Sequence, residues 1–174
     1  MRKITNYSLM MLFAISIFAS SCNSTSEENK TKQASKTNSS ITEIMTFAGK
    51  YLKAREEDDR INLITNIFDL SKKVTFESLI TLIKSVNSNK EYLAYLMMLS
   101  SENIKTDFSD KTTFDLFDNF VGTALKMKNS YVRFQAVDCI GKHQVFKENH
   151  LDLLKTMTKE DKNTHIIERL KDFF

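Results

Sequence analysis

Apolar side chains recur about every 3.6 residues along most of the chain, which is the spacing of one face of an α-helix. The first such stretch begins at Ser40, which has the spacing of a capping box with Glu43. Ser88 and Glu91 form a second capping-box pattern before a stretch that is apolar on nearly all sides. We expect the helix that follows Ser88 to be the most buried one. Other predicted helices have apolar faces at Ile61, Ile64, Ile67 and Phe68, at Val132, Ala136, Cys139 and Ile140, and at Ile166, Ile167, Leu170, Phe173 and Phe174.

The fold class follows from this spacing and from what interrupts it. The chain of 174 residues contains no proline and only three glycines, and no segment alternates apolar and polar residues as a strand does. The pattern therefore predicts an all-α fold.

Short motifs recur along the predicted helices. Thr75-Phe76-Glu77 returns 38 residues later as Thr113-Phe114-Asp115, and Tyr92-Leu93 returns 39 residues later as Tyr131-Val132. A repeat of this length predicts stacked αα-hairpins, each burying its apolar face on its neighbours, as in a short α-solenoid. An irregular helical bundle is the alternative.

The segment 129–141 resembles the second helix of a HEAT-type repeat. Val132, Arg133, Ala136, Ile140 and Gly141 fall on that family's usual positions, although the proline often found in the first helix of the repeat is absent. The resemblance implies a HEAT-like solenoid whose exposed side chains select a binding partner.

The N-terminus has a different pattern. Arg2 and Lys3 precede an apolar stretch, residues 9–19, which is too short to cross a bilayer permanently and fits a secretory signal. The sequence Ala19-Ser20-Ser21-Cys22 follows and resembles the lipobox of bacterial lipoproteins, with alanine where leucine is commonest. The resemblance implies cleavage after Ser21 and a diacylglycerol on Cys22. An ordinary secreted protein and a permanent N-terminal anchor are the alternatives.

These features predict three parts of the chain: a signal peptide over residues 1–21, a lipidated and disordered polar tether over 22–39, and a helical-repeat domain over 40–174. The tether is expected because Ala34 is the only apolar residue between Asn23 and Ser39. Asn23 follows the cysteine in place of the aspartate that retains enteric lipoproteins in the inner membrane. We therefore expect an anchor in the outer membrane, facing the periplasm or the cell surface.

Charge and cysteine content narrow the function. The formal charge of +3 falls to +1 once the signal peptide and its two cations are removed. A nearly neutral chain lacks the basic footprint of a nucleic-acid-binding protein. Cys139 is the only cysteine left after lipidation of Cys22, so no internal disulfide is expected.

Few residues suggest chemistry. Cys139 and His143 are four positions apart and could share a metal with His150 or His165, but Cys139 lies on an apolar face where a core cysteine is expected. The acidic residues 56–59 lack the spacing of a calcium loop, so we expect Asp58 or Asp59 to cap the next helix. No phosphate loop or catalytic triad is evident. We therefore expect no enzymatic activity, no metal and no cofactor.

The sequence thus favours a membrane-anchored, non-catalytic module that binds a protein partner. Four charged residues, Arg133, Asp138, Lys142 and Arg169, point away from the predicted core and are the candidate contacts. Two other classes stay open. One is an immunity-type lipoprotein that neutralises a toxin, and the other is an enzyme with a site assembled from distant residues.

Overall fold

The computed structural model describes the backbone of residues 24–174 and the side chains of residues 36–174. This part of the chain forms eight α-helices and no strand, which confirms the all-α prediction. The predicted signal peptide and Cys22 lie outside the described residues. The helices are α1 (Ser24–Tyr51), α2 (Glu57–Ser71), α3 (Phe76–Ile83), α4 (Asn89–Ser100), α5 (Lys111–Leu125), α6 (Ser130–Lys142), α7 (Lys147–Glu160) and α8 (Thr164–Leu170), with short 3₁₀ turns at Gln144–Phe146 and Lys171–Phe173.

The first helix differs from its predicted start. The backbone is already helical from Ser24, where the sequence predicts a disordered tether, and Ser40 lies inside α1 rather than capping it. No proline or glycine occurs between Ser24 and Ala48, and the glutamates, lysines, glutamine and alanine there are good helix formers.

A compact unit begins at Thr37, three residues before the predicted domain boundary. Thr37 is buried, and its hydroxyl donates a hydrogen bond of 3.3 Å to the carbonyl of Lys73. Ser40 is also buried. This unit extends from Thr37 to Phe174.

The helices of the unit pack as successive hairpins. Within the described residues, α3 packs on α4, α5 on α6 and α7 on α8. The second helices of the hairpins also pack side by side, because α2 contacts α4, α4 contacts α6 and α6 contacts α8. On the other side α3 contacts α5. This order of contacts agrees with stacked αα-hairpins.

Helix α4 lies in the centre of the stack. All eight residues from Leu93 to Ser100 are buried, which confirms the prediction that this helix is the most enclosed. The predicted capping box at its start is also present. The Ser88 hydroxyl accepts a hydrogen bond from the Glu91 amide at 3.3 Å, and the Glu91 carboxylate accepts one from the Ser88 amide at 3.1 Å.

Other helix ends depart from the predictions. Helix α2 begins at Glu57, before Asp58 and Asp59, and its N-cap residue Glu56 makes no side-chain capping bond. The acidic residues therefore lie in the first turn, where their charge favours the helix dipole. At the other end of the unit Phe173 is buried but Phe174 is 59% exposed, so the predicted apolar face ends one residue earlier.

The helices pack in a repeating order, but the predicted 38-residue alignment of the repeat does not match equivalent helix positions. Thr75 caps α3, whereas Thr113 lies inside α5, three residues after the N-cap Asp110. A better match joins α6 and α8, since Asn129 and Asn163 each accept hydrogen bonds from the amides two and three residues later. These two N-caps are 34 residues apart, whereas the predicted repeat is 38 or 39 residues long. The turns between the hairpins differ in length.

Candidate functional site

One groove of the compact unit lies where α2, α6 and α8 begin, beside the end of α1. It encloses about 200 Å³. We call it the Arg60 groove, and it is lined by Tyr51, Glu57, Arg60, Ile61, Ile64, Tyr131, Phe134, Asn163 and His165. None of these residues was a candidate for binding in the sequence analysis.

The wall of the groove is aromatic. Tyr51 is buried and meets Tyr131 edge to face, with ring centroids 5.5 Å apart and an angle of 83° between the planes. Burial raises the pKa of Tyr51 above its ordinary value, although the nearby Arg60 partly opposes this. Tyr51 therefore stays a neutral phenol at physiological pH.

Apolar side chains remain open to solvent at the groove. Ile61 is 54% exposed, and Ile64 and Phe134 are partly exposed. The apolar spacing predicts that Ile61 faces the core with Ile64, Ile67 and Phe68, but only Ile67 of these four is fully buried. Ile61, Ile64 and Phe134 line one groove together, and apolar side chains grouped at a surface are a common feature of contact sites.

Arg60 is held rigidly in this groove. Its Nε and Nη2 donate hydrogen bonds of 3.2 and 2.9 Å to the carbonyl of Ala54, and Nη2 also donates one of 3.2 Å to the carbonyl of Arg55. The guanidinium carbon lies 4.9 Å from the centroid of the Tyr131 ring, which is within cation–π range. Within the described part of the chain, Arg60 forms no ion pair and its Nη1 has no hydrogen-bond partner.

Arg133 occupies the same position in α6 that Arg60 occupies in α2. Each arginine is four residues after the N-cap of its helix, Glu56 or Asn129. The Nη1 of Arg133 donates to the carbonyls of Met127 and Lys128 at 2.9 and 2.8 Å, so both arginines bind the carbonyls five and six residues earlier.

The two arginines differ in their second partner. Nε and Nη2 of Arg133 donate to the two carboxylate oxygens of Asp161 at 2.8 and 2.9 Å. The Asp161 side chain is only 4% exposed, and the hydrogen bonds from Arg133 hold its pKa below the ordinary value. This two-bond ion pair joins the start of α6 to the turn before α8.

The four predicted partner-binding residues all form ion pairs within the unit. Besides Arg133 with Asp161, Arg169 lies 3.0 Å from Asp138, and Lys142 lies 2.8 Å from Glu102. Gly141 leaves room for Arg169, because a Cβ there would be 2.7 Å from Nη2 of Arg169. None of the four lines the Arg60 groove. A role in binding stays a prediction for them, and the structure adds an internal role for each.

The histidines and Cys139 occupy separate places. His143 lies with Nε2 2.8 Å from the carbonyl of Leu99, and burial lowers its pKa. His150 lies 3.0 Å from an oxygen of Asp118, and His165 lines the groove. Cys139 is fully buried, which raises the pKa of its thiol to about 12. Among the described residues no three potential ligands lie close enough to hold a metal ion.

Asp118 and His150 form the pair most like a catalytic arrangement. They join α5 to α7, and the ring of His150 fits beside Gly122, where a Cβ would lie 2.6 Å from Cε1. Asn149 donates to the other Asp118 oxygen at 3.1 Å. Both side chains are largely enclosed and neither lines the Arg60 groove.

The fold defines an all-α protein of packed helical hairpins. No family model, curated protein or solved structure matches this chain. In the part of the chain that the structure describes, no helix has both the length and the apolar character needed to span a bilayer.

Proposed function

We propose that this protein is a non-catalytic protein-binding module, anchored to the outer membrane by a lipid on Cys22, and that it binds its partner through the Arg60 groove. The observation that carries the proposal is the exposed apolar surface of the groove, with Ile61 more than half exposed beside two tyrosines and an arginine.

The composition of the groove supports a protein partner. Tyrosine and arginine are the residue types enriched among the side chains that dominate binding energy at protein interfaces. Tyr131 and Arg60 are already held in place by Tyr51 and by backbone carbonyls, so little side-chain entropy is lost when a partner binds.

The size of the groove also supports a protein partner. Pockets for small molecules usually enclose about 300–1,000 Å³. The Arg60 groove encloses about 200 Å³, which suits one or two side chains of a partner.

Site-specific photocrosslinking in living cells tests this proposal. A benzophenone amino acid replaces Ile61 in one variant and Val145 in the matched control, because both residues are 54% exposed and only Ile61 lines the groove. We expect a discrete protein adduct from position 61 and none from position 145. Equal adducts from both positions, or none from position 61, would contradict the proposal.

The membrane anchor has its own test. The lipobox-like sequence that ends at Cys22 supports lipidation, so Cys22→Ser should abolish fatty-acid labelling and leave unprocessed precursor. Cys139→Ser is the matched control and should still be labelled and processed. A Cys22→Ser protein that matures and stays in the membrane fraction would overturn the anchored part of the proposal.

A further inference from the structure

We infer that the Arg60 groove binds a peptide segment in which an acidic side chain adjoins an apolar one. The carboxylate accepts a hydrogen bond from Nη1 of Arg60, and the apolar side chain packs against Ile61, Ile64 and Phe134. This inference rests on the proposed function and names the chemistry of the partner.

Elsewhere in the molecule, an arginine at the equivalent helix position binds a carboxylate, which the groove lacks for Arg60. Arg133 matches Arg60 in helix position and in its hydrogen bonds to preceding carbonyls, and it binds the carboxylate of Asp161. Asp161 is two residues before the N-cap of α8, Asn163. At the same distance before the N-cap of α4, Ser88, the chain has Val86 in place of an acid. Arg60 uses Nε and Nη2 for the preceding carbonyls, whereas Arg133 uses Nη1 for them and Nε and Nη2 for Asp161. Nη1 is therefore the part of Arg60 that is left without a carboxylate from the described part of its own chain.

The free edge of Arg60 is ready to bind. Two carbonyls and the Tyr131 ring fix the guanidinium plane, which leaves the two N–H groups of Nη1 as fixed donors. A carboxylate that accepts from them forms a charge-assisted hydrogen bond, which is stronger than a neutral one. Beside this donor, the exposed Ile61 offers apolar area that a neighbouring side chain of the peptide can cover.

Glu57 carries a negative charge in the groove that repels an incoming carboxylate. It is the acidic residue among the lining side chains, and its exposed carboxylate forms no ion pair with Arg60. Besides Arg60, the other titratable lining groups are Tyr51, Tyr131 and, on the α8 side, His165. The charge of Glu57 opposes an incoming carboxylate, so Glu57→Gln should strengthen binding of an acidic peptide and leave a neutral peptide unaffected.

The test compares two capped dipeptides, acetyl-Leu-Asp-amide and acetyl-Leu-Asn-amide, which differ in charge and hardly in shape. Each is titrated into the mature lipidated protein in detergent micelles, and the NMR signals of the Arg60 Nε–H group and the Tyr131 ring are followed. We expect the aspartate peptide to shift both signals and to bind about fivefold more tightly, as a partly exposed ion pair predicts. Glu57→Gln should widen this preference.

Arg60→Gln should remove the preference, with the Tyr131 signal reporting the remaining apolar binding. The inference is overturned if the two peptides bind equally to the parent protein, if the aspartate peptide shifts neither signal, or if Arg60→Gln keeps the preference. Crosslinking from position 61 separates this result from the proposed function. An adduct that persists without any acidic preference would refute the peptide chemistry and leave the protein-binding function standing.

Discussion

Arg60 and Arg133 show how one local design serves two purposes. Both arginines follow a helix N-cap by four residues, and both donate hydrogen bonds to the carbonyls that end the preceding helix or turn. At Arg133 the free edge of the guanidinium is closed by Asp161, whose side chain is almost wholly buried. At Arg60 the same two nitrogens, Nε and Nη2, bind the carbonyl of Ala54, Nη1 has no partner among the described residues, and the side chain lines a groove beside an exposed isoleucine.

The two sites also differ in one residue of the neighbouring hairpin. An aspartate two residues before the next N-cap converts the arginine into an internal ion pair, whereas Val86 at the corresponding place leaves the cation without a carboxylate. The ion pair of Arg133 with Asp161 holds α6 to the turn before α8. Arg60, whose Nη1 has no such partner among the described residues, is available to another molecule. Substitutions that remove either arginine therefore test the comparison directly.

Arg133→Gln should cause the largest loss of stability. The substitution leaves the Asp161 carboxylate enclosed without its cation, and breaking a buried ion pair in this way typically costs about 3–5 kcal/mol. Urea unfolding of the variant beside the parent protein measures the change. The double variant Arg133→Gln/Asp161→Asn should recover part of the loss, because no uncompensated charge remains. A midpoint equal to that of the parent would show that the pair contributes nothing to the stack.

The effect of Arg133→Gln should depend on pH. The ion pair lowers the pKa of Asp161 in the folded protein, so its contribution to stability is complete above the unfolded value of 3.8 and is lost as the pH falls through the folded value. The difference in stability between the parent and Arg133→Gln should therefore become smaller below pH 3.8. Urea midpoints measured across this range give the result. A difference that stays constant would mean that Asp161 is not the source of the loss.

Arg60→Gln should cost less, about 1 kcal/mol. It removes partly exposed hydrogen bonds to the carbonyls of Ala54 and Arg55 and the contact with the Tyr131 ring, but it leaves no carboxylate unpaired. Its effect on the urea midpoint should also stay constant through the pH range in which the Arg133 effect changes. A loss as large as that of Arg133→Gln would show that Arg60 is mainly structural.

The sequence predicts the elements of this fold better than its surface. Helix α4 and its capping box follow from the all-round apolar pattern and the Ser88–Glu91 spacing, because both depend on residues close together in the chain. The start of α1 does not follow. Residues 24–36 contain one apolar residue, Ala34, and this composition predicts a disordered tether, but it does not prevent the backbone from forming a helix.

The groove is harder to predict because distant residues form it. Arg60 and Tyr131 are 71 residues apart, and nothing local indicates that α2 and α6 bring them together. One signal was available. Lys128-Asn129-Ser130 returns as Lys162-Asn163-Thr164, and this alignment places Tyr131 and His165 at equivalent positions, both of which line the groove. The longer repeat of 38 or 39 residues concealed that match.

The HEAT-like segment illustrates both outcomes. Val132, Ala136 and Ile140 are fully buried, as the pattern of that helix predicts. Arg133, a candidate for partner contact, is instead engaged by Asp161 from 28 residues further along the chain. The helical spacing shows that Arg133 leaves the core face, but it contains no information about a carboxylate on the next hairpin.

Lys142→Ala should have the smallest effect and completes the comparison. Lys142 also forms an ion pair between separate elements, with Glu102, but its side chain is 40% exposed and that of Glu102 is 86% exposed. Exposed pairs of this kind contribute little to stability, because water screens the charges and two long side chains lose freedom. We expect the urea midpoint to stay within error of the parent. The Glu102 side chain is free to hydrate in the variant, whereas Asp161 without Arg133 is not. If Lys142→Ala destabilised the protein as much as Arg133→Gln, burial would not be what separates the pairs, and the contrast between a closed and an open arginine would lose its physical basis.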